Sequence, residues 1–127
     1  MRVLMDTNVI IRSMAGTLGK DGADVLEDMS NTLYYSPVSI WEMVIKQRTG
    51  KLAMPTEAGV VRRQLEEKGC RELPVTSRHA LATGALADVN KDPFDRMLVA
   101  QALTEGLTLM TTDRLLSGYA AEVMTVE

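Results

Sequence analysis

Five carboxylates stand at places in this chain where chemistry is commonly done. Asp6 lies in MDTN, Glu42 in SPVSIWEM, Asp92 and Asp95 in NKDPFDRMLVAQA, and Asp113 in LMTTDRLL. Carboxylates crowded into one place repel one another and raise one another's pKa, so a compact cluster calls for protons or cations. Oxygen-only ligation suits Mg²⁺ or Mn²⁺, hard ions that keep water and bind phosphate oxygens beside a few carboxylates. Such ions activate water and stabilise the leaving oxygen in phosphodiester hydrolysis.

Each acid also has a local explanation. Asp6 suits an Asx turn or a helix N-cap. Ser39 with Glu42 makes a capping box, and Lys46 is spaced to pair with Glu42 along the helix. Asp92 suits an N-cap, Pro93 the first helical position, and Asp95 the third, favoured by the helix dipole. Arg96 is placed to pair back to Asp92, and a cap at Asp113 would be unremarkable. Capping, however, needs no convergence. If four of these acids meet at one sheet edge, caps alone do not account for them.

The elements that must bring them together are legible from apolar patterning. VLM before Asp6 and LTLMT from Leu107 to Thr111 are short continuous apolar runs, as in buried parallel strands. Between them LYYS (33–36) reads as a strand and Ser39 to Thr49 as a helix. Thr56 to Lys68, closed by Gly69, reads as another helix, and RELPV around Leu73 as a strand. Helical segments are predicted from Ser77 to about Leu86 and from Pro93 to near Gly106, and a last strand at VMTV from Val123. Gly16 to Gly22 reads as a loop. This alternation predicts a three-layer α/β fold with a mainly parallel central sheet and helices on both faces. In such sheets ligands bind beyond the carboxyl ends of the strands, where these acids fall.

Composition sets the frame. At 127 residues the chain is expected to form a single domain, and 46% apolar with 24% charged residues is ordinary for a folded globular protein. Cys70 is the lone cysteine, which excludes an intrachain disulfide and a thiolate metal site. Asp6 interrupts the N-terminal apolar run, which argues against a signal peptide, and no apolar run reaches membrane length. A cytoplasmic protein with no membrane association is the expectation. The net charge of -3 argues against general electrostatic coating of nucleic acid but not against a nuclease.

Five segments, MDTNVII, SPVSIWEMVIKQRTGKL, LPVTSRHA, DPFDRMLVAQA and LMTTD, together resemble the PIN-domain ribonucleases, specifically the VapC-like toxins of bacterial type II toxin-antitoxin systems. The resemblance covers nearly the whole chain. It implies a metal-dependent endoribonuclease whose Mg²⁺ or Mn²⁺ is held by Asp6, Glu42, Asp95 and Asp113, with Thr111 as a supporting hydroxyl. It also implies an RNA substrate cut to 5'-phosphate and 3'-hydroxyl ends, a homodimer, and an antitoxin protein as partner. The chain departs from the family pattern at Ala87 and Asn90, where relatives often carry Pro and His, and at Asn8, where close relatives often carry His.

Two other readings compete. A phospho-receiver domain has similar length and topology but wants an acidic pair after the first strand and a lysine after the last. Here Met5 precedes Asp6, and no lysine follows Lys91. A non-catalytic PIN-like module that binds RNA or protein would be separated from an enzyme by its failure to cut. His79, the sole histidine, reads as a packed or hydrogen-bonded helix residue, and Cys70 as a small apolar one. Arg62, Arg63, Lys46, Arg48 and Lys51 read mainly as solvated helix faces. Trp41, Met43 and Tyr34 read as core.

Overall fold

The structure is a computed structural model, described here for residues 1–51 and 56–127. Leu52, which ends the SPVSIWEMVIKQRTGKL segment, lies outside the described residues. Five strands form one sheet: β1 (Arg2–Met5), β2 (Thr32–Tyr35), β3 (Arg71–Glu72), β4 (Thr108–Thr111) and β5 (Val123–Thr125). Their order is β3-β2-β1-β4-β5 and every pairing is parallel. Among the described residues six α-helices accompany them: α1 (Thr7–Ala15), α2 (Lys20–Glu27), α3 (Pro37–Arg48), α4 (Ala58–Glu67), α5 (Ser77–Ala82) and α6 (Pro93–Glu105).

Side chains alternate across a strand, and the two cores divide accordingly. Val3, Met5 and Met110 face a cluster built with Val9, Ile10, Met43, Val61 and Leu65. Leu4 and Leu109 face the other way, against Leu98, Val99, Ala102 and Leu116. The three-layer reading therefore holds, and the all-parallel sheet follows from crossovers that return each strand to the same direction. From β1 the chain steps outward to β2 and β3, then crosses to β4 and β5 on the other side. The order reverses between β1 and β4, and the Asp6 N–H donates to the Met110 carbonyl at 2.9 Å across that seam.

Several local expectations are corrected. α3 starts at Pro37, and its cap is Ser36, whose Oγ accepts the Val38 N–H at 3.1 Å. The Ser39–Glu42 capping box does not form, because Pro37 fixes the first turn two residues earlier and leaves Ser39 buried inside the helix. Gly16 to Gly22 is not all loop: α2 begins at Lys20. Gly22 lies inside that helix, where close packing favours glycine, since a Cβ would meet Leu18 Cγ at 2.9 Å and Val126 Cγ2 at 3.2 Å. The RELPV strand pairs only at Arg71 and Glu72. The helix from Ser77 ends at Ala82 and tightens into a 3₁₀ turn, Thr83–Ala85. Trp41 is not core: it is 59% exposed, whereas Met43 is fully buried.

Candidate active site

Asp6 ends β1 and caps α1. Its Oδ1 accepts the Val9 N–H at 2.8 Å, and its Oδ2 accepts a hydrogen bond from the Thr111 hydroxyl, brought alongside by β4. Glu42 projects from the second turn of α3 and is buried. Its Oε1 accepts the Thr7 hydroxyl at 2.7 Å, with Ser39 Oγ 2.9 Å from that same hydroxyl. Its Oε2 accepts from the Lys46 ammonium one turn further on, the pairing expected from the spacing. Asp113 lies just past β4, where its Oδ1 accepts the Leu115 N–H at 2.9 Å and its own N–H donates to Thr111 Oγ1 at 3.0 Å.

At the start of α6 the two aspartates separate in role. Asp92 Oδ1 accepts the N–H groups of Phe94 at 2.9 Å and Asp95 at 3.4 Å, so Asp92 is the cap. Asp95 Oδ2 instead accepts from Asn90 Nδ2 at 3.1 Å, and Asn90 Oδ1 is held by the Tyr119 hydroxyl. Asn90 thus braces Asp95 by hydrogen bonding. Arg96 does not pair with Asp92. Its guanidinium donates to the carbonyls of Ala87 at 2.9 Å and Thr83 at 3.0 Å and to the Tyr119 hydroxyl at 3.2 Å, pinning the segment before α6. A planar fork of five donors matches several carbonyls better than one carboxylate. Arg96→Met should therefore lower stability by about 2 kcal/mol, read from urea unfolding midpoints. A change within the error of the midpoints would mean that the clamp contributes nothing.

These segments meet at one cavity of about 180 Å³, lined by Asp6, Glu42, Asp95 and Asp113 together with Asp92 and Lys46. All four expected acids are present at it. Burial raises the Asp95 pKa from 3.8 to about 7, with the charges of Asp92, Asp6, Glu42 and Asp113 adding to the rise. Burial likewise raises Asp6 to about 6, offset in part by the hydrogen bonds from Thr111 and Val9. Both shifts oppose ionisation, so the site as it stands holds more negative charge than its surroundings can stabilise. Among the described residues no three acids are already drawn together as an ion cage. What the cavity offers is a ring of oxygen donors, a chemistry suited to a hard, hydrated dication.

Lys46 was missed as a cavity residue by the sequence reading, which placed it on a solvated face. The usable signal was its spacing from Glu42. His79 is a packed residue, as expected: its Nδ1 accepts the Thr76 N–H at 3.0 Å, and its Nε2 lies 2.7 Å from Glu105 Oε2. A larger cleft of about 650 Å³, lined in part by Arg12, Asp21, Arg114 and Glu127, mixes charges of both signs and does not contain the acidic ring.

A parallel α/β domain with acids gathered at the switch point of its sheet is the class that these features define. Residues 3–122 match the family model described as PIN domain, and the chain belongs to that family. Among curated proteins none matches the chain. Solved structures with the same fold include VapBC2 from Rickettsia felis bound to a promoter DNA fragment, at TM-score 0.77 and 13% identity over 100% of both chains. DNA-bound VapBC from Salmonella typhimurium gives TM-score 0.72 and 16% identity over 98% of each chain. A toxin-antitoxin complex from Klebsiella pneumoniae gives TM-score 0.68 and 21% identity over 97% of this chain and 96% of that one. At these identities the likeness is one of fold.

Proposed function

We propose that the chain, acting as one domain, is a Mg²⁺- or Mn²⁺-dependent endoribonuclease and the toxin of a toxin-antitoxin pair. The observation that carries this is the convergence of Asp6, Glu42, Asp95 and Asp113, from four separate segments, on one small cavity at the sheet's switch point. Capping explains each acid singly and does not explain their meeting. The PIN family and the toxin-antitoxin complexes that share the fold support the same reading.

Asp6, Glu42, Asp95 and Asp113 would hold the ion. A bound divalent ion supplies a lowered pKa for the attacking water and neutralises charge on the scissile phosphate. The protein's own part is positioning. Thr111 and the Val9 N–H fix both oxygens of Asp6, Thr7 fixes Glu42, and Asn90 fixes Asp95, so the ring needs little reorganisation when charge develops. Attack on phosphorus with loss of the 3'-oxygen leaves 5'-phosphate and 3'-hydroxyl ends. Purified protein should cut structured RNA with added Mg²⁺ or Mn²⁺ and stop on chelation, with ligation-based end sequencing reading those termini. Cleavage that persists in excess chelator would overturn the metal assignment, and RNA binding without any cleavage would favour the non-catalytic module.

Partners belong to the same proposal: an antitoxin protein and a second copy of the chain. Beside the site lies an apolar groove of about 400 Å³ lined by Val38, Trp41, Val75, Phe94 and Met97, with the Trp41 and Phe94 rings edge to face at 5.2 Å. An indole left 59% exposed on such a surface suits a protein contact. Trp41→Glu should shift the protein from dimer to monomer in sedimentation at micromolar concentration. Unchanged sedimentation would place the dimer contact elsewhere. Among the described residues no helix is long and apolar enough to cross a membrane.

A further inference from the structure

Among the described residues three helical ion pairs have the same i,i+4 spacing, and one differs in kind. In Lys20–Asp24 and Arg62–Glu66 both side chains are largely exposed, as expected of surface pairs that contribute little. In Lys46–Glu42 the carboxylate is 7% exposed, and the ammonium reaches in from the edge to meet it. A buried carboxylate stripped of its partner is costly, so this ammonium is held where the others are free to swing. Lys46 also lines the same cavity as Asp6, Asp95 and Asp113, and among the described residues lining it is the one cation.

We propose that Lys46 is a built-in cation of the acidic site, occupying at Glu42 the place a second divalent ion would take, so that the protein binds one such ion rather than two. The inference rests on the metal-dependent reading given above and adds its stoichiometry. Glu42 Oε1 is engaged by Thr7 and Oε2 by Lys46, so a further dication there must expel the ammonium or bind against its repulsion. That leaves Asp6, Glu42, Asp95 and Asp113 to hold a single ion, with Glu42 shared between it and the ammonium. Lys46 is in this sense a positioning residue for the metal, and its charge rather than its shape carries the role.

The test counts ions directly, without reference to turnover. Full-length protein is titrated with Mn²⁺, and the unbound ion is followed by its electron paramagnetic resonance signal. Wild type should take up one Mn²⁺ per chain, Lys46→Met two, and Lys46→Arg one, since arginine keeps the charge. Two ions on wild type would overturn the proposal, and that result does not depend on whether any variant folds. One ion on a folded Lys46→Met protein, bound with wild-type affinity, would overturn it equally. Wild type that takes two ions and still cleaves RNA in a metal-dependent manner removes this inference alone. Wild type that takes none and does not cleave removes the functional reading with it.

Discussion

Asp95→Asn should reduce RNA cleavage by about a thousandfold while leaving the protein folded. The carboxamide keeps an oxygen to accept from Asn90 Nδ2, so the brace to Tyr119 survives, and what disappears is one negative charge from the acidic ring. Asp6→Asn should act in the same way, although its oxygens also serve Val9 and Thr111. Asp92→Ala separates the two roles at the same helix start. Losing the cap should cost about 1 kcal/mol of stability, whereas neutralising Asp95 removes a repelling charge and should leave the metal-free protein as stable or more so. Single-turnover cleavage beside thermal melting decides the matter. Full retained cleavage in both Asn variants would sink the assignment of these acids to the site.

The second large effect is on how stability varies with pH. Folding raises Asp95 from 3.8 to about 7 and Asp6 from 3.8 to about 6. The unfolded chain releases these protons near pH 4, while the folded, metal-free protein still holds them. Below about pH 4 the raised pKa values contribute fully to stability, and that contribution is lost as pH rises through 6 and 7. Wild type should therefore lose stability between pH 4 and pH 7 relative to Asp95→Asn, by on the order of 2 kcal/mol once solvent screening of the half-buried Asp95 is allowed for. Mg²⁺ added at pH 7.5 should restore the loss by binding the folded state selectively. Melting curves of the two proteins that run parallel across this range would show that the ring does not store repulsion.

Much of this arrangement was legible in the sequence because the signals were local. The apolar runs at Val3–Met5 and Leu107–Thr111 announce buried strands, and DP before an apolar stretch announces a helix start. The split between Asp92 and Asp95 was legible too, since Asp92 directly precedes Pro93 while Asp95 falls at the third helical position, and geometry added the partners, the Phe94 N–H for Asp92 and Asn90 for Asp95. Trp41 shows the limit clearly. Its spacing from Val38 and Ile45 gives it a helical position like any core residue, and only the packing of α3 against its neighbours shows that this face is left open. Arg96 was misread for a related reason: pairing rules along one helix could not anticipate four carbonyls gathered by a segment that winds back over it. Asn90, a departure from the family pattern, gains its meaning from Tyr119, 29 positions away.

The hydrogen bond from Thr111 to Asp6 joins residues separated by 105 positions. Because β4 forms the seam with β1, that acid acquires its partner only after nearly all of the chain has been synthesised. Contacts of such long range are slow to form, since a large loop must close before any pairing offsets its lost entropy. A polypeptide still emerging from the ribosome, with its first hundred residues free, has Asp6, Glu42 and Asp95 in hand but neither Asp113 nor the strand that seats it. Such an intermediate has no assembled acidic ring, so whatever chemistry that cavity performs has to wait until synthesis is almost over.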